Sequence, residues 1–330
     1  MARKYSSITG KTLSPELGLV CVSFSAEIRY RMITRTRYLG LPEPERARLL
    51  REIYGDNAET FEKALQFCEQ RDIKLYRMPS SIFPFADTPE GLSILKTFAE
   101  KLSKLGDIAQ KRGIRIVAHP DQFVVLSSDS QEVIDNSITV LQMHADIFDM
   151  MGLSRTPYNA IIIHGGKRGN EKILKRTVNK LPESIRSRLT LENDEISYSA
   201  NTIFSICCET GLSMIFDAHH HLIKEKCKDY TDSSIRDAMQ AARGTWHPNE
   251  EWQLVHISNG TAGLHDRRHS DFIDVLPDCF ADAGWIEVEA RGKEEAIERI
   301  RAFWPPAKKR RKPASASNLP IMWFTARSRV

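Results

Sequence analysis

Six apolar runs in a row each release one ionisable side chain at or near their end. His119 follows Val-Ala, His164 closes Ile-Ile-Ile-His-Gly-Gly, Glu192 closes Leu-Thr-Leu-Glu, and Asp217 closes Ile-Phe-Asp. His256 lies in Leu-Val-His-Ile-Ser, and Glu289 closes Ile-Glu-Val-Glu. A single histidine of this kind is ordinarily a hydrogen-bonded core residue. Six in succession need a common cause, and a shared metal site compensates the desolvation of all of them together. Imidazole and carboxylate without thiolate suit Mn²⁺, Zn²⁺ or Fe²⁺ rather than Ca²⁺ or a structural zinc. The donors outnumber what one ion uses, so two or three divalent ions are expected, with a carboxylate such as Glu192 between them. Such clusters serve phosphoryl transfer, where one ion activates water and another steadies the leaving oxygen. They also serve hydride-shift sugar isomerases, so the donors alone leave the substrate open.

After Asp217 come three histidines, His219, His220 and His221. Strand alternation would pair Asp217 with His219, but the strand is read as ended there, with a loop following. Asp-x-x-His makes Asp217 and His220 the preferred pair, and the other two are assigned supporting roles. Between His265 and His269, spacing does not choose.

What must position these side chains is an alternation of strands and helices. Eight segments read as buried strands: Leu17–Val22, Ile73–Arg77, Ile114–His119, Asn159–His164, Arg188–Glu192, Ser213–Asp217, Trp252–Ser258 and Gly284–Ala290. Helical patterns lie between them, including Thr60–Gln70, Gly91–Lys111, Gln131–Met151, Ala200–Thr210 and Glu294–Phe303, with Gly113 and Gly211 marking helix ends. Repeated β-then-α units imply a parallel sheet covered by helices. An open sheet would spread the ionisable ends along an edge. A closed (β/α)₈ TIM barrel brings them round one mouth, so the barrel is predicted.

The chain has 330 residues, 41% hydrophobic and 27% charged, which suits a globular protein with a full-sized core. No apolar run approaches the ~18 residues a membrane helix needs. The start lacks a secretory h-region. The six cysteines show no CxxC pair and read as reduced thiols. A cytoplasmic monomer with no membrane partner is expected. The net charge of +4 is uneven: residues 306–330 hold seven Lys or Arg and no acid, and three more cations precede Ser14. Without those ten, 37 basic residues face 43 acidic ones, a net charge near −6, so a phosphate-binding surface on the body must be a local patch. The expected organisation is a basic extension over residues 1–14, a barrel over 15–305, and a basic tail over 306–330 that reads as solvated. A DNA-binding arm is the alternative for that tail.

Nine stretches in order carry a resemblance. They are Leu17-Gly-Leu-Val-Cys21, Tyr76-Arg-Met-Pro-Ser-Ser-Ile-Phe-Pro-Phe85, His119-Pro-Asp-Gln122, His164-Gly-Gly166, Leu191-Glu-Asn-Asp-Glu195, Asp217-Ala-His-His220, Val255-His-Ile-Ser258, Arg268-His-Ser270 and Ile286-Glu-Val-Glu-Ala-Arg-Gly-Lys293. From about Leu17 to Ile297 the chain resembles the UV damage endonucleases, DNA repair enzymes related in fold to endonuclease IV and to sugar-isomerase barrels.

The resemblance implies incision of damaged double-stranded DNA directly 5′ to cyclobutane dimers and 6-4 photoproducts, with abasic sites as further substrates, using a Mn²⁺-type cluster. It implies His119, His164, Glu192, Asp217, His220, His256, His269 and Glu289 as ligands, the Arg-His-Ser block selecting His269 over His265. Glu192 and Glu289 are the carboxylates expected to be essential for catalysis. Gln122 and Phe123 are the residues implied to enter the duplex and probe the lesion, a core-packing role being the alternative for Phe123. Such a wedge costs least where stacking is already broken. Phe123 stands where some members have Tyr. Ser80 and Ser81 stand where some have a further ligand, and Leu254 stands where some have Lys. Endonuclease IV-like cutting of abasic sites alone and sugar isomerase or epimerase activity are the rival readings.

Overall fold

The computed structural model describes residues 15–304, so the expected basic extension over 1–14 and the tail from 306 lie outside the described residues. Eight short strands form: β1 (Glu16–Val20), β2 (Leu75–Met78), β3 (Arg115–Ala118), β4 (Ile161–His164), β5 (Leu189–Glu192), β6 (Ser213–Asp217), β7 (Leu254–Ile257) and β8 (Trp285–Val288). Each runs parallel to the next and β8 pairs with β1, closing the predicted barrel. The helices are α1 (Arg35–Leu39), α2 (Glu43–Gln70), α3 (Pro89–Lys96), α4 (Ala99–Lys111), α5 (Gln131–Met150), α6 (Glu171–Val178), α7 (Glu183–Arg186), α8 (Ala200–Thr210), α9 (Ala218–Glu225), α10 (Ser233–Arg243) and α11 (Lys293–Phe303). No described helix is long and apolar enough to cross a membrane.

Side chains alternate along each strand, so every second residue points inward and the barrel fills in layers. At the base, Arg115 is fully buried among Tyr158, Trp285 and Trp246, with its guanidinium carbon 4.8, 5.1 and 5.7 Å from their ring centres. It donates to the carbonyl oxygens of Tyr158 and Trp252 at 2.6 and 2.9 Å. Above it lies a separate apolar cluster that includes Leu75, Val117, Ile162, Ile215 and Leu254. Two residues further along their strands come Arg77, His119, His164, Asp217 and His256. The polar layer therefore sits at the mouth, on top of an apolar plug, while Arg115 below the plug is satisfied by backbone carbonyls.

Some elements differ from the sequence expectation. The helix expected over Gly91–Lys111 is two helices, because Thr97 Oγ1 bonds back to the Ile94 carbonyl at 2.7 Å and the chain turns. That turn sets Phe98 edge-on to Tyr54, ring centres 6.1 Å apart. Helix α2 extends far ahead of Thr60, since Leu50, Ile53, Tyr54 and Asn57 continue its buried stripe among many charges. The segment after Asp217 is helical rather than a loop. Asp217 caps α9 by accepting from the His220 N–H at 2.6 Å, which ends the strand and starts the helix at one residue.

Candidate metal centre

Glu192, at the end of β5 and 1% exposed, is the centre of the mouth. Its Oε2 lies 2.9 Å from His119 Nε2 and its Oε1 lies 2.9 Å from His256 Nδ1, so two imidazoles approach its two oxygens separately. His220 Nδ1 is 3.7 Å from the same Oε1. His164, at the end of β4, lies between His119 and His220, with ring centres 5.1 and 5.6 Å away. His269 Nε2 is 3.9 Å from Glu289 Oε2, held there by a bridge between Gly260 and His269 in the loop after β7.

Three groups of donors have their ligand atoms within 4.8 Å of one another: His119 with His164 and Glu192, Glu192 with Asp217 and His256, and His256 with Glu287 and Glu289. Glu192 belongs to the first two and His256 to the last two, so adjacent donor groups share a residue. His164 Nδ1 and Asp217 Oδ2 are buried and have no hydrogen-bond partner. Buried polar atoms are rarely left so, and each stands in one of these groups, so the donor set fits a divalent cation.

The electrostatics agree with that fit. Burial alone would raise the Glu192 carboxyl, but His256 and His164 hold it well below its ordinary range. Burial also works against a charged His256, yet Glu192 and Glu287 push its pKa well above the usual value. For His220, burial is outweighed by Asp217, Glu192 and Glu195, and the pKa rises to about 9. Without an ion these imidazoles carry the protons that balance the carboxylates. Donors must shed such protons to ligate, so cation binding and proton release are linked here.

Beneath the ligands is a pair that the sequence reading did not single out. Arg77 from β2 donates through Nε to Glu287 Oε2 at 2.9 Å, and its Nη2 contacts both Glu287 and Glu289. Glu287 Oε2 also lies 2.6 Å from His256 Nε2. Burial alone would raise the Glu287 carboxyl, but Arg77 and His256 bring it down to about 2. The available signal was parity, since Glu287 and Glu289 share one face of β8. Glu195 was also passed over: it lies 3.6 Å from His220 Nε2 and pairs with Arg267.

The remaining candidates sort by their contacts. His219 is taken by Ser258 Oγ at 2.6 Å and the Leu264 carbonyl at 3.0 Å. His221 reaches Ser234 Oγ at 3.0 Å, and His265 reaches the Cys227 carbonyl at 3.0 Å. Ser80 and Ser81 lie in the turn after β2 and do not line the cleft. Leu254 is part of the apolar plug. The cleft itself has a volume of about 640 Å³, and its wall includes Arg77, His119, Gln122, His164, Glu192, His220, His269 and Glu289. Phe123, next to Gln122, is 76% exposed and packs into no core.

The UV-endonuclease UvdE family model matches residues 15–310. A UV DNA damage endonuclease from Nostoc sp. is 46% identical over 89% of this chain and 92% of its own length. The UV DNA damage endonuclease of Deinococcus radiodurans is 44% identical over 88% and 96%. Among solved structures, SacUVDE aligns with a TM-score of 0.73 at 25% identity, covering 88% of this chain and 99% of that one.

Proposed function

The chain belongs to the UV-endonuclease UvdE family and is a DNA repair endonuclease, and on that premise we propose that it incises duplex DNA directly 5′ to cyclobutane dimers and 6-4 photoproducts, and cuts abasic sites, with two or three Mn²⁺-type ions held in the cleft. The observation that carries this reading is the donor set around Glu192. Its carboxylate is grouped with His119 and His164, and separately with Asp217 and His256. His220, His269 and Glu289 complete the proposed ligands. Bound there, divalent ions would activate water and neutralise charge on the leaving oxygen.

The chain's own residues supply the rest. Glu192 spaces the two ligand groups with its two oxygens. Glu287 lies against His256 Nε2 and leaves Nδ1 facing Glu192 Oε1. Arg77 already neutralises Glu287 and Glu289, which favours two ions over three in this chain. Gln122 and Phe123 stand beside ligand His119, where a side chain entering the duplex tests how easily the stack opens next to the bond to be cut. An exposed phenylalanine beside ligand His119 suits stacking on a base, which favours a nucleic-acid substrate over a small sugar.

Incubating the chelated protein with end-labelled duplexes, with and without Mn²⁺, tests the reading. Mn²⁺-dependent cutting immediately 5′ to a photodimer is expected, with weaker or equal cutting at an abasic site. Cutting of the abasic duplex alone would replace this reading with an abasic-site endonuclease, and no cutting of either would overturn it.

A further inference from the structure

The body of the chain is net acidic, yet residues 29–37 hold Arg29, Arg31, Arg35 and Arg37 and no acid. This stretch begins in the long connection after β1 and ends in α1. Connections that follow barrel strands lie on the face where the cleft opens. Residues 21–34 contain no helix or strand, but the connection is firmly tied. Asn57 Oδ1 accepts from the Arg31 N–H at 2.7 Å, and Asn57 Nδ2 donates to the carbonyls of Arg31 and Ile82 at 2.9 and 2.7 Å. Phe24 N–H and Ser25 N–H donate to Glu294 at 2.6 and 2.8 Å. The hydroxyls of Tyr30 and Tyr76 are 2.7 Å apart, and Ile28 is buried.

From this fixed support three apolar side chains face solvent: Met32 at 71% exposed, Phe24 at 53% and Leu39 at 57%. Arg31 pairs with Asp56, and Arg29 is taken by the carbonyls of Ser23 and Ile28. Neither Arg35 nor Arg37 has an acidic partner among the described residues. Unpaired guanidiniums flanking an exposed apolar tip, on a rigid support, match the two parts of a duplex: the phosphate line and the stacked base steps reached through the groove.

We propose that the segment 24–37 is a second DNA-contact element, in which Arg35 and Arg37 take backbone phosphates of the duplex flanking the lesion and Met32 packs into the groove beside them. This rests on the reading of the chain as an endonuclease of damaged duplex. It assigns a grip on undamaged flanking DNA to β1–α1, separate from the lesion probe after β3. A wedge of methionine rather than an aromatic ring adds apolar contact without demanding a flipped base.

The test uses the full chain, with chelator present to prevent cutting, and anisotropy of labelled damaged and undamaged duplexes across a salt series. For Arg35→Ala with Arg37→Ala, two lost phosphate contacts should reduce the slope of log Kd against log salt by roughly 1.8, equally for both duplexes. Met32→Ser should weaken binding by about tenfold, from the lost burial of one apolar side chain, and Met32→Leu should restore it. Thermal midpoints should stay unchanged, since all three side chains are exposed. An unaltered slope and affinity, in a protein whose wild type binds duplex, would overturn this proposal alone. Failure of the wild type to bind or cut damaged duplex would overturn the functional reading with it. A Met32→Ser change in sedimentation without a change in DNA affinity would show that the tip meets a second copy of the chain instead.

Discussion

Glu287 Oε2 lies 2.6 Å from Nε2 of His256, and both side chains are fully shielded from solvent. A carboxylate behind an imidazole fixes which nitrogen carries the proton and which faces the cleft, and such partners tune ligand strength. Glu287→Gln is therefore expected to weaken divalent-cation affinity by about 10–100-fold, read by titration calorimetry. It also leaves Arg77 leaning on Glu289 alone, so the thermal midpoint should fall. Cation affinity within twofold of wild type would remove Glu287 from any role in orienting His256.

The protonation pattern gives a pH prediction for the cation-free protein. His220 has its pKa raised to about 9, against an ordinary value near 6.5 in the unfolded chain. A raised histidine stabilises fully below the unfolded value, and that contribution is lost as pH climbs through the folded one. The thermal midpoint of chelated protein should thus fall between about pH 6.5 and 9. With saturating Mn²⁺ the same window should show flat or rising stability, because a ligating imidazole needs no proton. Identical pH profiles with and without the ion would contradict the linkage.

Much of this arrangement was open to reading from the residues. The ends of successive apolar runs marked His119, His164, Glu192, Asp217 and His256, and Ile-Glu-Val-Glu289 did the same for β8. The rest depended on tertiary context. Arg77 was read only as the last residue of a strand, and its place depended on closure setting β2 and β8 on either side of β1. There Gly18 of β1 pairs in register with Leu75 of β2 and Glu287 of β8, and a Cβ on it would run into the Leu75 side chain. The turn at Thr97 and Phe98 and the early start of α9 were hidden because each depends on one side-chain bond to backbone, at Ile94 and at His220. The first half of α2 was masked by its charged outer face.

The exposure of Phe123 makes its loop a separable part of the enzyme. Gln122→Ala with Phe123→Ala should weaken binding of photodimer duplex by roughly 1–3 kcal/mol per lost stacking contact, while bound cation is retained. The double variant should bind undamaged duplex much as wild type does. Unchanged preference for damaged over undamaged duplex, measured by competition, would show that lesion recognition lies elsewhere.

The central claim is that Glu192 joins two cation sites that carry out the cut. It is tested most directly by Glu192→Gln, assayed for single-turnover incision of a photodimer duplex at saturating Mn²⁺. Removing one bridging charge while keeping the side chain's shape should abolish incision and lower the number of bound ions, with the folded state retained in far-UV circular dichroism. Incision at near the wild-type rate, with wild-type cation stoichiometry, would contradict the account.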